Sequence, residues 1–240
     1  MKILGYIPAR LGSVRVQAKN LRYLNGRPLI SYAIETTKRS KEIERVVVNT
    51  ESPEIAAVAA EYGMDAYMRP AELATSAAST DDIIFDFISK NECDAVAVIN
   101  PTAPFLKAQT IDAAVRKFMA EKPTALFTAN TVRKHTFLNG RWINFDATRK
   151  SPRTQDLEPL TIINFIVAIF DAHYARQAYL EKGSFLYNGR VGFMETPEAE
   201  SFDIDYDYEF QLAEALMRQA ESPDQPRFHT AVVAGKDYRT

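Results

Sequence analysis

Two stretches of this sequence gather side chains that could do chemistry. The first is Ile7-Pro8-Ala9-Arg10-Leu11-Gly12-Ser13-Val14-Arg15-Val16-Gln17-Ala18-Lys19-Asn20, which follows the apolar run Ile3 to Ile7. Exposed N–H groups and cations in a loop leaving a first buried strand suit an anion, phosphate above all. Gly12 allows close backbone approach, and Arg10, Arg15 and Lys19 offer charge-assisted donors. By residue type alone the stretch is equally a solvated basic loop. It has neither the Gly-Lys-Ser/Thr ending of a Walker loop nor a dinucleotide GxGxxG, so a triphosphate here must be held in another way.

The second stretch is Asp203-Ile204-Asp205. On an extended backbone, carboxylates at i and i+2 point the same way while Ile204 turns into the core. Two such charges repel unless a cation lies between them. Mg²⁺ typically takes one or two carboxylates together with substrate phosphates. The alternative is that Asp205 caps the helix that follows. Asp207 and Glu209 read as solvated first-turn acids complementing the helix dipole. Combined on one sheet, the two stretches suit nucleotidyl transfer: Arg10 and Lys19 neutralise a triphosphate while Mg²⁺ on Asp203 and Asp205 polarises the α-phosphate. His135, His173 and His229 have no metal-ligand spacing, and no Ser or Cys has a supporting His-Asp arrangement.

The elements that must position these residues alternate along the chain. A length of 240 residues allows one large α/β domain with an insertion, or two small domains. With 46% hydrophobic residues a core forms without staples, and a single cysteine, Cys93, rules out an internal disulfide and a Cys-based zinc cluster. A net charge of −2 argues against nucleic acid as a partner. The chain enters a strand without a leader and has no apolar run long enough to span a membrane, so no membrane partner and a cytoplasmic location are expected. Strands are predicted at 3–7, 45–49, 64–68, 94–99 and 125–129. Helices are predicted from Pro28, from Ser52, from Thr80 (with Thr80 as cap) and over about 110–120. Alternation of this kind predicts a mostly parallel sheet with helices on both faces. After Val132 the pattern changes. Asn139-Gly140 between apolar residues marks a hairpin, Leu160 to Phe170 reads as a strand, and a strand at 191–195 precedes a helix at 208–218. A single domain over 1–220 is expected, with an inserted, projecting arm at about 132–190 and a tail at 221–240.

Ile7-Pro8-Ala9-Arg10-x-Gly12-Ser13 followed by Lys19-Asn20 resembles the signature of the acylneuraminate cytidylyltransferases, or CMP-sialic acid synthetases. The resemblance continues through Arg69-Pro70-Ala71-Glu72-Leu73-Ala74, Ala78-Ser79, Asn100-Pro101-Thr102-Ala103-Pro104 and Asp203-Ile204-Asp205. It implies a Rossmann-like three-layer nucleotidyltransferase fold and a CTP- and Mg²⁺-dependent enzyme. The implied reaction joins a nine-carbon 2-keto sugar acid to CMP and releases pyrophosphate. The resemblance also implies a homodimer whose projecting dimerisation arm reaches the neighbouring active site. Carried over, Ala9, Arg10, Gly12 and Ser13 line the nucleotide loop, Lys19 and Asn20 contact phosphate and ribose, and Arg69, Ala78 and Ser79 help hold base and ribose. Asn100 and Thr102 fall where the family reaches the sugar. Arg153, in Pro152-Arg153-Thr154-Gln155-Asp156, is the candidate for the sugar carboxylate because a planar fork suits that group; Lys134 is another. The sequence departs from the family at Val14, where Lys is common, at Gln17-Ala18, at Asn49-Thr50-Glu51, at Asn100 in place of Gln, and at Phe165, where Gly often follows Asn. Three other readings stay open: a nucleotidyltransferase for 3-deoxy-manno-octulosonate or another nucleotide, a catalytically silent nucleotide-binding homologue, and a glycosyltransferase of similar sheet architecture, which would usually carry its Asp-x-Asp in mid-chain.

Overall fold

The computed structural model describes residues 1–221 apart from Val14 and Ser76; the expected tail beyond 221, and Val14 itself, lie outside the described residues. The chain begins with strand β1 (Ile3–Pro8). A loop then leads to the small hairpin of β2 (Tyr23–Leu24) and β3 (Arg27–Pro28), and helix α1 (Leu29–Lys38) follows. Next come β4 (Arg45–Thr50), α2 (Pro53–Glu61), β5 (Asp65–Met68), α3 (Thr80–Lys90), β6 (Ala95–Ile99), α4 (Ala108–Glu121) and β7 (Ala125–Val132). The short strands β8 (Phe137–Leu138) and β9 (Arg141–Trp142) pair across Asn139-Gly140, both at positive φ as this turn requires. The chain closes with β10 (Leu160–Asp171), α5 (Ala172–Lys182), β11 (Val191–Glu195) and α6 (Asp207–Glu221).

The seven-stranded sheet runs β11-β7-β10-β6-β1-β4-β5 and is parallel except for β10, which is antiparallel to both neighbours. Period-two alternation sends successive side chains to opposite faces. Ile3 and Ile7 of β1 and Ala95, Ala97 and Ile99 of β6 pack under α1, α2 and α4, while Leu4, Tyr6, Val96 and Val98 pack under α3 and α5. The three-layer α/β expectation is met. A third cluster joins Val16, Leu24, Leu29, Tyr32, Ile204, Phe210 and Ala213. It binds the end of the cationic loop to the segment of the paired aspartates.

Several boundaries shift for local reasons. Ser79, not Thr80, caps α3: its hydroxyl accepts from Asp82 N while Asp82 accepts from Ser79 N, a capping box. The projecting segment is narrower than 132–190. From Val167 to Asp171 the chain runs inside the sheet, paired to β6 throughout and to β7 over Ala168 to Phe170, and α5 packs back on the α3 side. What projects is the stretch between β7 and β10 with the adjoining strand ends. An irregularity between Ile163 and Ala168 separates the outer and inner parts of β10. Phe165 sits there at φ +55°, a left-handed backbone that an aromatic residue adopts only at a cost, while its ring packs edge-on against Phe127. The packing explains how the position tolerates a residue other than Gly. Among the described residues no helix is long and apolar enough to cross a membrane.

Candidate active site

The parallel strands β1, β4, β6, β7 and β11 all end on one edge. The chain fills β4 and β5 on one side of β1 and then crosses to β6 on the other, so strand order reverses between β1 and β6. A crevice at such a switch point is where open α/β sheets take ligands. The Arg10–Lys19 loop leaves β1 here, Asn100 leaves β6, and Asp203-Ile204-Asp205 approaches the same edge from the far end of the chain.

The two stretches meet. Asp205 Oδ1 accepts from Arg15 Nη2 at 2.7 Å and from Lys19 Nζ at 3.1 Å, and Lys19 Nζ also donates to Ile204 O at 2.7 Å. Ile204, fully buried, turns into the third cluster as its alternation requires. Asp205 does not cap α6. The Glu209 carboxylate does so, accepting from the backbone N–H groups of Asp205 and Tyr206. Glu209 is therefore not merely a solvated acid but holds the aspartate segment to the helix start.

Asp203 is placed differently from its neighbour. Its Oδ1 accepts from the Thr102 hydroxyl, whose residue also anchors the segment through Ile204 N to Thr102 O at 3.0 Å. Asn100 Oδ1 in turn lies 2.9 Å from Thr102 N and 2.7 Å from Thr102 Oγ1. Thr102 is buried, so it braces Asp203 and Asn100 and does not face the crevice. Burial pushes the Asp203 carboxyl above the ordinary carboxylate range, against the Thr102 hydrogen bond and the Lys19 charge. A desolvated carboxylate two residues from a second one is a donor set a hard divalent cation fits. Among the described residues there is no group of three or more His, Cys, Asp or Glu side chains that could hold a metal, so a cation on this pair would need phosphate or water oxygens as its other ligands.

The loop is braced from beneath. Arg69 is buried and ion-paired to Glu51 Oε2 at 2.6 Å, and it donates to Asn49 Oδ1 at 2.9 Å and Ala9 O at 3.2 Å. Glu51 Oε1 accepts from Leu11 N at 2.8 Å. Asn20 Nδ2 closes the loop onto Arg10 O at 3.1 Å. Arg69, Ala9 and Asn20, read from the sequence as nucleotide contacts, thus spend their groups holding the loop, because all three lie in the buried layer below it. The Arg10 side chain makes no hydrogen bond or ion pair with protein groups among the described residues and remains free for a ligand. Space over Gly12 is open: a Cβ built there meets nothing within 4 Å. Ala18, at φ +47°, turns the chain immediately before Lys19. Ser79 is committed to its helix cap, and Ala78, half-buried, precedes it.

Beside Asp203 lies a cleft of about 1010 Å³ lined by Asn130, Lys134, Glu195, Thr196, Ser201 and Phe202 among others. Three of its lining residues are tied together by Asn164, whose Nδ2 reaches Asn130 Oδ1 at 2.8 Å, Thr196 Oγ1 at 2.7 Å and Ser201 Oγ at 3.1 Å. Lys134 reaches the cleft; Arg153 does not line it. Arg153 stands exposed on the projecting segment, its fork closed on Asp156 at 2.8 and 3.2 Å. Glu200, unforeseen from the sequence, is a buried carboxylate that accepts from Lys107 N at 3.0 Å and Thr110 Oγ1 at 2.6 Å. It ties the approach to Asp203 onto the start of α4. Glu51 had a signal, an acid ending a strand beside a basic loop, and Asn164 had one, a lone amide in an apolar run. Glu200 had none.

A cationic loop after β1 and a carboxylate pair held against it, at the switch point of a mostly parallel sheet, fit a nucleotidyltransferase. The chain belongs to the cytidylyltransferase family, whose model matches residues 4–222. It is 32% identical over 226 residues to CMP-N,N'-diacetyllegionaminic acid synthase of Legionella pneumophila, covering 90% of this chain and 97% of that one. It is 28% identical over 239 residues to N-acylneuraminate cytidylyltransferase of Escherichia coli, covering 91% of this chain and 52% of that protein. Among solved structures, CMP:2-keto-3-deoxy-manno-octonic acid synthetase complexed with CTP superposes with a TM-score of 0.72 at 17% identity, over 92% of this chain and all of that one. At that identity the superposition speaks for the fold.

Proposed function

We propose that this cytidylyltransferase activates a sialic-acid-like, nine-carbon 2-keto sugar acid with CTP, giving the CMP-sugar and pyrophosphate, and that it does so with Mg²⁺ in the cytoplasm as a homodimer. The observation that carries the reading is the junction of Arg15, Lys19 and Asp205 beside the open space over Gly12. In it, Arg10, Arg15, Lys19 and the loop N–H groups surround the place for a triphosphate, and Asp203 and Asp205 are the residues that hold Mg²⁺. When bound, the ion offsets phosphate charge and polarises the α-phosphoryl group. The sugar's anomeric hydroxyl forms the new P–O bond as the bond from the α- to the β-phosphate breaks. The hydroxyl proton passes to water and pyrophosphate leaves. Lys19, fixed by Ile204 O, keeps its charge on the triphosphate side throughout.

The cleft beside Asp203 has room for a sugar acid, and Lys134, which lines it beside Glu195 and Glu198, offers a cation for the carboxylate. The relatives, a CMP-N,N'-diacetyllegionaminic acid synthase and an N-acylneuraminate cytidylyltransferase, support this substrate class. The exposed aromatics of the β8–β9 hairpin, Phe137 and Trp142 with Ile143 beside them, support a second copy as partner, because aromatic side chains are enriched in the cores of such interfaces. In that dimer Arg153 serves the neighbouring cleft.

The test is a pyrophosphate-release screen of CTP and the other nucleoside triphosphates against a panel of 2-keto sugar acids that includes 3-deoxy-manno-octulosonate. Turnover with CTP and a nine-carbon acid, abolished in Asp203→Ala, is expected. Preference for the eight-carbon acid or another nucleotide overturns the substrate assignment, and full turnover in Asp203→Ala overturns the metal assignment.

A further inference from the structure

Asp205 presents one oxygen, Oδ1, to two cations at once, and those cations are not equivalent. The Lys19 side chain is 13% exposed and pinned a second time by Ile204 O. The Arg15 side chain is 52% exposed, and Asp205 is its only ion-pair partner among the described residues. Its guanidinium carbon rests 5.2 Å from the centre of the exposed Tyr206 ring. Tyr206 offers the guanidinium a flat support that does not depend on the carboxylate. Arg15 also belongs to the loop that carries Gly12 and its open space.

We propose that Arg15 is a latch on Asp205. In the nucleotide-free enzyme it neutralises this carboxylate and competes with a divalent cation for it. When the triphosphate arrives, Arg15 leaves Asp205, pivots on Tyr206 and donates its fork to phosphate oxygens, releasing Asp205 to the cation. Lys19 cannot exchange in this way, because its second bond to Ile204 O holds it whatever occupies Asp205. The consequence is positive coupling between metal and nucleotide, which by linkage must be reciprocal. Cation alone binds weakly, since it must displace Arg15 with nothing to receive the guanidinium. Cation and triphosphate together leave every charge paired. The latch rests on the metal and CTP assignments proposed above and adds the order in which the site is assembled.

The test uses the full chain as wild type, Arg15→Ala and Arg15→Lys. Mn²⁺ binding without nucleotide is followed by the electron paramagnetic resonance of the free ion, and Mg–CTP binding by calorimetry. Arg15→Ala is expected to bind Mn²⁺ alone about tenfold more tightly and Mg–CTP about tenfold more weakly, the scale of one charge-assisted hydrogen bond. Arg15→Lys, which keeps the charge and loses the fork, should fall between wild type and Arg15→Ala in both. Arg15→Ala indistinguishable from wild type, or weaker in both measurements, overturns the latch while leaving the cytidylyl-transfer reading in place. A wild-type chain that binds neither Mn²⁺ nor Mg–CTP overturns that reading and the latch with it.

Discussion

Lys19 Nζ and Ile204 O stand 2.7 Å apart although 185 positions of chain separate them. The contact is one part of a seam. Val16 and Ile204 share the same buried cluster, Lys19 bonds the backbone of Ile204, and Asp205 takes both Lys19 and Arg15. The apolar residue between the two aspartates therefore sets where they stand.

Ile204→Ala should lower folding stability by about 2–5 kcal/mol, the range for emptying a buried aliphatic site. CTP affinity should fall beyond what the unfolded fraction explains, because Lys19 and Asp205 lose their shared anchor. Urea denaturation and calorimetry on the folded protein check the two effects separately.

Gly12→Ala should leave folding stability within the scatter of neutral surface changes, about 0.5 kcal/mol, since the new methyl meets nothing within 4 Å. CTP binding should weaken, because the methyl occupies the space over the loop. Equal affinity in the variant would show that the triphosphate does not pass over Gly12.

Arg69→Ala should cost about 3–5 kcal/mol, since it leaves the largely buried Glu51 carboxylate without its cation and the Leu11 end of the loop without a fixed acceptor. A residue that only contacted the cytosine or ribose would weaken nucleotide binding and leave thermal stability unchanged. Thermal denaturation without nucleotide separates the two roles.

Asp82→Ala tests the cap of α3. The Tyr179 hydroxyl, and after it Ser79, hold the Asp82 carboxyl below the ordinary carboxylate range. A lowered folded-state pKa stabilises the protein above the ordinary pKa, and that contribution is lost as pH falls through the lowered value. The variant should be about 1 kcal/mol less stable at neutral pH, the typical value of a helix cap. The difference should hold down to about pH 5 and shrink below about pH 4, where the unfolded carboxylate protonates. Denaturation midpoints across that range are the readout.

If the proposed dimer forms through the β8–β9 hairpin, Phe137→Glu with Trp142→Glu should leave the chain monomeric without unfolding it, because both side chains stand on that hairpin away from the two main cores. Light scattering gives the mass, and circular dichroism shows that the fold persists.

Much of this protein was legible in one dimension. Strands β1, β4, β5, β6 and β7 announced themselves as short runs rich in apolar residues, and the helices between them by caps, prolines and periodicity, because burial and backbone chemistry there are local; the β2–β3 hairpin gave no such run. The cationic loop and Asp203-Ile204-Asp205 were legible for the same reason: each is a compact cluster of charge. Less legible was which charges are spent on structure. Arg69, Asn20 and Thr102 look like ligand contacts in sequence but turn inward to Glu51, Arg10 and Asp203. Ser79 reads in sequence as part of the nucleotide site, while its hydroxyl is committed to the start of α3. Glu200 looks like one more surface acid and is buried against the start of α4.

By itself, then, the sequence determined the alternation of elements, the parallel character of most of the sheet and the two charged stretches, since each depends on residues within a few positions of one another. Only the tertiary structure decided that β10 runs backwards between β6 and β7, that the projecting segment is short, and that Asp205 faces Arg15 and Lys19. Each of these is a contact between distant positions, and no local pattern encodes which distant partner a buried or charged group will find.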